Sequence, residues 1–460
     1  MKPVLVLAVV GLAPSLLGPR TPNLNKLVQR GGQRPLGTVL PAVTCTAQTT
    51  LLTGLTPAAH GAVANGWYFR DTAEVLFWRQ SNHLVSGEKI WEAGRKRNAD
   101  FTCAKMFWWY NMYSSAEWSA TPRPIYPADG RKIPDHYAEP PELRDELNKK
   151  LGTFPLFRFW GPATNIASSE WIAEATLHVM ATRNPTLTLC YLPHLDYDLQ
   201  RHGPDLSNAA VLKSIEEVDA ICERMIEAAD RGGREIVVVS EYGITPVTDA
   251  IHINRALRLA GLIRVRDETG RDSFDPGASR AFAVSDHQVA HIYIRDPADI
   301  PHVRAVVAAL PGVESVLDED GKRQNGLNHP RSGELVAVSA ADRWFSYYYW
   351  LDDARAPDYA RTVDIHRKPG YDPVELFVDP AIRLPLAAIG WKMTKRTFGM
   401  RTLLDIISLN GTSLVKGSHG RLTDDPNDGP LVISSRSDLL PEGAVAATAF
   451  KDLVLDHVFS

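Results

Sequence analysis

The sequence predicts an α/β protein: a mostly parallel central sheet sandwiched by helices, with a smaller α+β segment inserted as a cap. Three observations carry this. Leu187 to Leu192 is an apolar run, a helical pattern follows from about Ser207 to Ala229, and then comes the Val/Ile run of EIVVVS, which is the order of a parallel strand–helix–strand unit. The chain also opens on a Val-rich run, Val4 to Val10, suited to a strand buried on both faces. From 263 to 397 the texture changes to short alternating strands and a helix. Residues 1–262 and 398–460 therefore read as the core and 263–397 as the cap.

The 460 residues suffice to bury a substantial core. With 44% hydrophobic residues, 23% charged and a net charge of −4, nothing points to nucleic-acid binding, which needs a basic surface. Four cysteines, Cys45, Cys103, Cys190 and Cys222, are widely spaced with no CxxC pairing, and a reduced, cytoplasmic chain is expected. Cys45 reads as a small packed side chain or as an alternative nucleophile.

The opening MKPVLVLAVVGLAPSLLG has the Lys-then-apolar order of a signal peptide. However, TPNLNKL follows almost at once as a helix, with Thr21 as cap and Pro22 at its first position, so Val4 to Val10 reads as the first core strand. No uninterrupted apolar run reaches the roughly 20 residues of a membrane span, and no stable membrane anchor is expected.

The next stretch, PAVTCTAQTTLLTGLTPAAHGAVAN (41–65), runs a short apolar strand end (Val39, Leu40) into Thr44, then a helical run from Gln48 to Leu52 and a Gly-Leu-Thr-Pro turn. A hydroxyl at a strand–helix junction sits in the field of unpaired backbone N–H groups, which favours anions and an alkoxide-like nucleophile. Taken alone, Thr44 reads as a plain N-cap before it reads as a nucleophile. Downstream, GEKIWEAGRK begins a helix near Glu88, and the aromatics Phe107 to Tyr110 follow a strand as packing or as a pocket wall. The polar, Pro-rich stretch from Thr121 to Pro141 reads as a surface excursion. In the cap, RAFAVSDHQVAHIYIRD gives two strands, DPADIPHVRAVVAAL a helix, and GVESVL and GELVAVSA further strands. The basic stretch Trp391, Lys392, Lys395, Arg396, Phe398, Arg401 reads first as a solvated helix face and otherwise as a face lying against a membrane surface or an acidic partner. The chain closes with the strand PLVISS and a helix from Ala447 to Phe459.

Taken whole, the spacing P-x-x-T…T-L-L-T-G-L-x-P-x-x-H-G-x-x-x-N resembles the nucleophile segment of the alkaline phosphatase superfamily, in its type I phosphodiesterase/nucleotide pyrophosphatase and phosphonoacetate hydrolase-like branch. The resemblance implies an alkaline phosphatase-like core and a small phosphate-containing substrate. It also implies Thr44 as nucleophile and Asn65 as the group that steadies the transferring phosphoryl. Thr46, Ala47 and Gln48 replace the family's common Pro-Asn-His, which marks a divergent member.

Two cations about 4 Å apart are one effective way to transfer a phosphoryl group. The ligands that the resemblance implies are only partly present. Val10-Gly11 stands where the family has Asp-Gly, Gln200 stands at a histidine position after Asp196, and Glu241-Tyr242 replaces Asp-His, while His419 in GSHG is kept. Asp196, Gln200, Glu241 and His419 are therefore the expected metal ligands, for fewer zinc or manganese ions than the two of typical relatives. Asp198, Tyr242, His287, Asp364 and His366 are further candidates for metal or substrate. Asp364 and His366 form a DxH pair that an extended segment would point to one face. His291, inside an apolar strand, reads as a core residue.

The expectation is a hydrolase of phosphate esters with a Thr nucleophile and a reduced metal site. The alternatives are a weakened relative acting as a phospho-ligand binding module, or an enzyme moved to another transfer or lyase reaction that needs one metal or none.

Overall fold

The computed structural model describes residues 1–128, 130–398, 400 and 402–460, the side chains of residues 396 and 397 excepted. The chain forms two compact units. The first comprises Met1–Ala62, Gln80–Thr245 and Leu422–Ser460, and the second Val63–Arg79 and Pro246–Arg421.

The first unit is built on a nine-stranded sheet. Its spatial order is Val445–Ala446, Gly32–Gly37, Leu431–Ser434, Glu235–Val239, Val4–Val9, Leu187–Leu192, Cys103–Met106, Trp118–Pro122, His136–Glu139. Five of the eight neighbouring pairs are parallel, and three are antiparallel. Every residue of the Val4–Val9 strand is fully buried, between parallel partners that set Val4 against Leu187 on one side and Glu235 on the other. That explains the unbroken apolar run, since a strand covered on both faces has no polar alternation. Parallel alignment also carries the carboxyl ends of these three strands to one edge of the sheet, where the following segments begin.

Three local expectations are corrected. Val39 and Leu40 lie beyond the strand Gly32–Gly37 rather than in it. HLDYDLQRH is a helix, His194–His202, separate from the longer Ala209–Arg231. The stretch 121–141 contributes strand residues of Trp118–Pro122 and the edge strand His136–Glu139. Its prolines hid a strand too short for periodicity to reveal. A forked Arg144–Asp135 pair holds that edge, with Nη2 to Oδ2 at 2.6 Å.

The helix Pro22–Arg30 follows Thr21, but the Thr21 hydroxyl accepts from Gly18 N at 2.9 Å and makes no cap bond within the helix. The cap comes from Asp219 on the Ala209–Arg231 helix. Its carboxylate accepts from Asn23 N (3.1 Å), Leu24 N (2.9 Å) and Asn23 Nδ2 (2.9 Å). A buried negative charge at a helix N-terminus satisfies both the orphan donors and the dipole.

The second unit contains a four-stranded antiparallel sheet in the order Ala281–Asp286, Val289–Ile294, Leu335–Ser339, Val313–Leu317. The expected helix runs over Ile300–Ala308. The unit's limits differ from 263 and 397. Asn254, in the helix Ile253–Leu259, exchanges hydrogen bonds with the Ala283 backbone at 2.7 and 2.8 Å, which ties that helix to the sheet. The hairpin Gly66–Phe69/Glu74–Phe77 joins too, with Tyr68 edge-on to Phe282 at 5.1 Å between ring centroids. The helix Pro385–Thr397 covers most of the basic stretch, of which Arg401 and the Arg396 side chain lie outside the described residues.

Replacing Asp219 by Ala strands two buried helix-start N–H groups. The expected loss is about 1–2 kcal/mol of unfolding free energy, measured by denaturant titration, with the substituted chain still folded.

Candidate active site

Thr44 is the first residue of the helix Thr44–Thr53, with Val43 in extended conformation as its N-cap. The plain-cap reading of Thr44 therefore fails: its hydroxyl is free of capping duty and lies at the positive end of the helix. The helix stops at Gly54, whose φ of 71° glycine supplies without strain. The His-Gly pair that follows is structural. His60 Nδ1 accepts from Ala62 N at 3.1 Å, so the neutral ring donates from Nε2 to Thr50 Oγ1 at 2.9 Å. Cys45 is buried beside Thr44.

Around Thr44 the first unit gathers five buried polar side chains. Tyr242 stands in the segment after the Glu235–Val239 strand, with its phenol oxygen 3.1 Å from Thr44 Oγ1 and 3.3 Å from Asp196 Oδ1. Asp196 lies in the first turn of the His194–His202 helix. Gln200, one turn on, donates from Nε2 to Asp196 Oδ2 at 2.7 Å. Gln48, one turn after Thr44, donates from Nε2 to Glu241 Oε1 at 2.5 Å and accepts from Trp109 N at 2.7 Å. Burial pushes the Asp196 carboxyl up to about 7, against the hydrogen bonds from Gln200 and Tyr242. Burial also pushes Glu241 up to about 8, opposed by the Gln48 hydrogen bond.

The phenol has a single hydrogen. Given to Asp196, it leaves the Tyr242 oxygen to accept from Thr44. The hydroxyls then form a directed chain: Thr44 donates to Tyr242, and Tyr242 donates to Asp196.

The cluster does not fit a two-cation centre. It holds two carboxylates and no imidazole, and donor hydrogens occupy both oxygens of Asp196 and Oε1 of Glu241. Where the resemblance would place a carboxylate, Val10 is fully buried and Gly11 makes a tight turn at φ 75°. Among the described residues no group of three or more His, Cys, Asp or Glu is placed to hold a metal ion.

The other candidates have identifiable partners. Asp198 accepts from Arg201 Nη1 at 2.9 Å and from the Ser214 hydroxyl. Burial acts to raise its carboxyl, but those two bonds hold it below the usual range. In the second unit, Asn65 donates from its backbone N to Asp286 Oδ2 (2.7 Å) and from Nδ2 to Oδ1 (3.0 Å), while burial pushes Asp286 up to about 7. His287 lies between two rings, with Tyr371 at 3.8 Å and His419 at 3.6 Å between centroids. Burial, with the His419 charge, holds His287 well below the ordinary imidazole range. His291 donates to Val63 O at 3.0 Å and accepts from Gly333 N at 3.2 Å, a satisfied core histidine. The DxH reading is corrected, because Asp364–Lys368 is a hydrogen-bonded turn and i, i+2 residues there share no face. Asp364 pairs with Arg367 at 3.3 Å, and His366 Nδ1 lies 3.4 Å from Phe77 O. Gln48 was not expected in the site, and Trp109 only within the aromatic run read as packing or a pocket wall. Gln48 was legible as the i+4 neighbour of Thr44 once the helix is started at Thr44 rather than at Gln48.

A mostly parallel sheet with flanking helices is an α/β fold of the alkaline phosphatase kind, and in such folds ligands bind beyond the carboxyl ends of the strands, where Thr44 and the carboxylates lie. The model of the type I phosphodiesterase/nucleotide pyrophosphatase family matches residues 4–372, and the chain belongs to that family. An uncharacterised pyrophosphatase/phosphodiesterase of Schizosaccharomyces pombe is 24% identical over 277 residues, covering 56% of this chain and 47% of the relative. The chain thus matches about half the length of that curated relative. Phosphonoacetate hydrolase of Sinorhizobium meliloti, solved with phosphonoformate, aligns with a TM-score of 0.63 at 17% identity over 99% of this chain and 96% of its own. Murine ectonucleotide pyrophosphatase/phosphodiesterase 5, solved as an inactive threonine-to-alanine variant with AMP, gives 0.59 at 15% over 100% and 95%. No helix among the described residues is long and apolar enough to cross a membrane.

Asp196 has its carboxyl raised in the folded state above its ordinary 3.8. The stability this gives is fully present below about pH 3.8 and is lost as pH rises toward 7. Asp196→Asn is therefore expected to melt a few degrees above the unsubstituted chain at pH 8. In thermal melts across pH, the gap closes toward pH 4.

Proposed function

We propose that this chain hydrolyses phosphate esters in the manner of a phosphodiesterase/nucleotide pyrophosphatase, with Thr44 as nucleophile. The observation that carries the reading is the placement of the Tyr242 phenol between Thr44 Oγ1, at 3.1 Å, and Asp196 Oδ1, at 3.3 Å. Thr44 Oγ1 attacks phosphorus as the bond to the leaving oxygen breaks. Its proton passes to the Tyr242 oxygen while the Tyr242 proton passes to Asp196. Water then cleaves the phosphothreonine bond, with the same path returning a proton to Thr44. The first N–H groups of the Thr44–Thr53 helix favour the anionic group during transfer.

Family membership supports the reaction class, and the murine relative's loss of activity on replacing a threonine by alanine supports the role of Thr44. The bound AMP and phosphonoformate of the relatives support a small phosphate-containing substrate. For Asn65 as a group steadying the phosphoryl, and for His419, the support is the sequence resemblance alone. Hydrolases of this family are metal-dependent. Here the donor set supports fewer than two divalent cations, zinc or manganese, and the steps above use this chain's own residues only.

A second reading, a phospho-ligand binding module, draws on the missing carboxylate at Val10 and on Glu241-Tyr242 in place of Asp-His. The two separate on a panel of aryl phosphodiesters and nucleotide pyrophosphates. The hydrolase reading expects turnover that falls on the order of 10³-fold or more in Thr44→Ala. The binding reading expects ligand affinity with no turnover in either form.

Two further outcomes are expected. The rate rises with pH through about 7 as Asp196 becomes the base, and Tyr242→Phe lowers kcat by roughly 10²-fold and flattens that limb. Metal analysis of protein purified without chelators returns fewer than two equivalents.

A further inference from the structure

Between Asp379 and Asp405 the chain carries five basic residues, Arg383, Lys392, Lys395, Arg396 and Arg401, and no acidic one, although the whole chain has a net charge of −4. The same segment holds seven of the 17 large apolar side chains that are most exposed among the described residues. They include Leu386 (85%), Phe398 (77%), Leu384 (72%) and Trp391 (62%). Scattered single exposures need no explanation, but a cluster of this size does. We propose that the helix Pro385–Thr397 with its flanking described residues is a docking surface for a membrane bearing anionic headgroups, entered by the exposed apolar side chains and held by basic groups such as Arg383 and Lys395.

The helix Pro385–Thr397 is 13 residues long, about 20 Å at the usual rise, too short to span a bilayer but long enough to lie in its interface. Ile389 packs against the small core of Val374, Ile406 and Ile407, which holds the helix on its unit while Leu386 and Trp391 stay exposed. Lys395 Nζ lies 5.3 Å from the Trp391 ring centroid. An indole and an ammonium side by side suit the headgroup level, where the ring takes the apolar side and the amine reaches phosphate. Lys392 pairs with Asp405, which offsets its charge, so that Lys395, beside the Trp391 ring, is the basic group of the helix that faces a headgroup. A membrane explains both halves of the composition at once. An acidic protein would need the charge alone, and a second copy of a chain with net charge −4 would need the apolar groups alone.

The test is co-sedimentation of the full chain with phosphatidylcholine vesicles and with vesicles containing phosphatidylserine, at low and high salt. The expected result is partitioning about tenfold or more stronger onto the anionic vesicles, weakened by salt. It is lost in the pair Leu386→Ser/Trp391→Ser, whose unchanged melting temperature shows an intact fold. Failure to bind either vesicle, binding undiminished in the pair, or a dimer by light scattering that the pair abolishes would each overturn the proposal.

Discussion

The parallel pairing of Val4–Val9 with Leu187–Leu192 and Glu235–Val239 is the constraint from which the first unit follows. It requires both faces of the central strand to be covered, which fixes its composition. It also sends three chain segments out over one sheet edge. The His194–His202 helix and the Glu241-Tyr242 segment begin there, and their carboxylates and phenol reach Thr44 from different parts of the chain. The register that sets Val4 against Leu187 and Glu235 fixes where these segments leave the sheet, and so where their side chains begin.

Within that frame, charge is handled by neutral donors. Each carboxylate near Thr44 sits in surroundings that resist ionisation, and each receives an amide or phenol hydrogen that partly restores it. An amide hydrogen supplies a fraction of the field of a divalent cation, but it is fixed in direction and cannot be lost to a chelator. The result is a pair of carboxyl groups that titrate near neutrality, the range useful for moving a proton.

Much of this was legible in the sequence. The apolar runs marked the strands because burial on both faces writes itself into composition, and the spacing from Pro41 to Asn65 marked Thr44. Position was harder to read than identity. Thr44 differs from the expected N-cap by one residue, which releases its hydroxyl from capping and turns it toward Tyr242. The edge strand His136–Glu139 was hidden by prolines and shortness, and the Asp364–His366 pair was misread because alternation assumes extended backbone. The place of Gln48 was legible one turn after Thr44, but its bond to the Trp109 backbone, 61 positions away, was not, since no local pattern encodes that distance.

Gln48 has one more consequence. Its amide is polar end to end: oxygen toward the Trp109 N–H, nitrogen toward Glu241. Turning the amide over would break both bonds, so the two partners are held to a single orientation. Without the Trp109 N–H the amide would lose the partner that fixes its oxygen, and the hydrogen bond that opposes the burial of Glu241 would lose its anchor. The glutamine thus ties the backbone of the aromatic segment Phe107–Tyr110 to a carboxyl on another loop through one rigid amide.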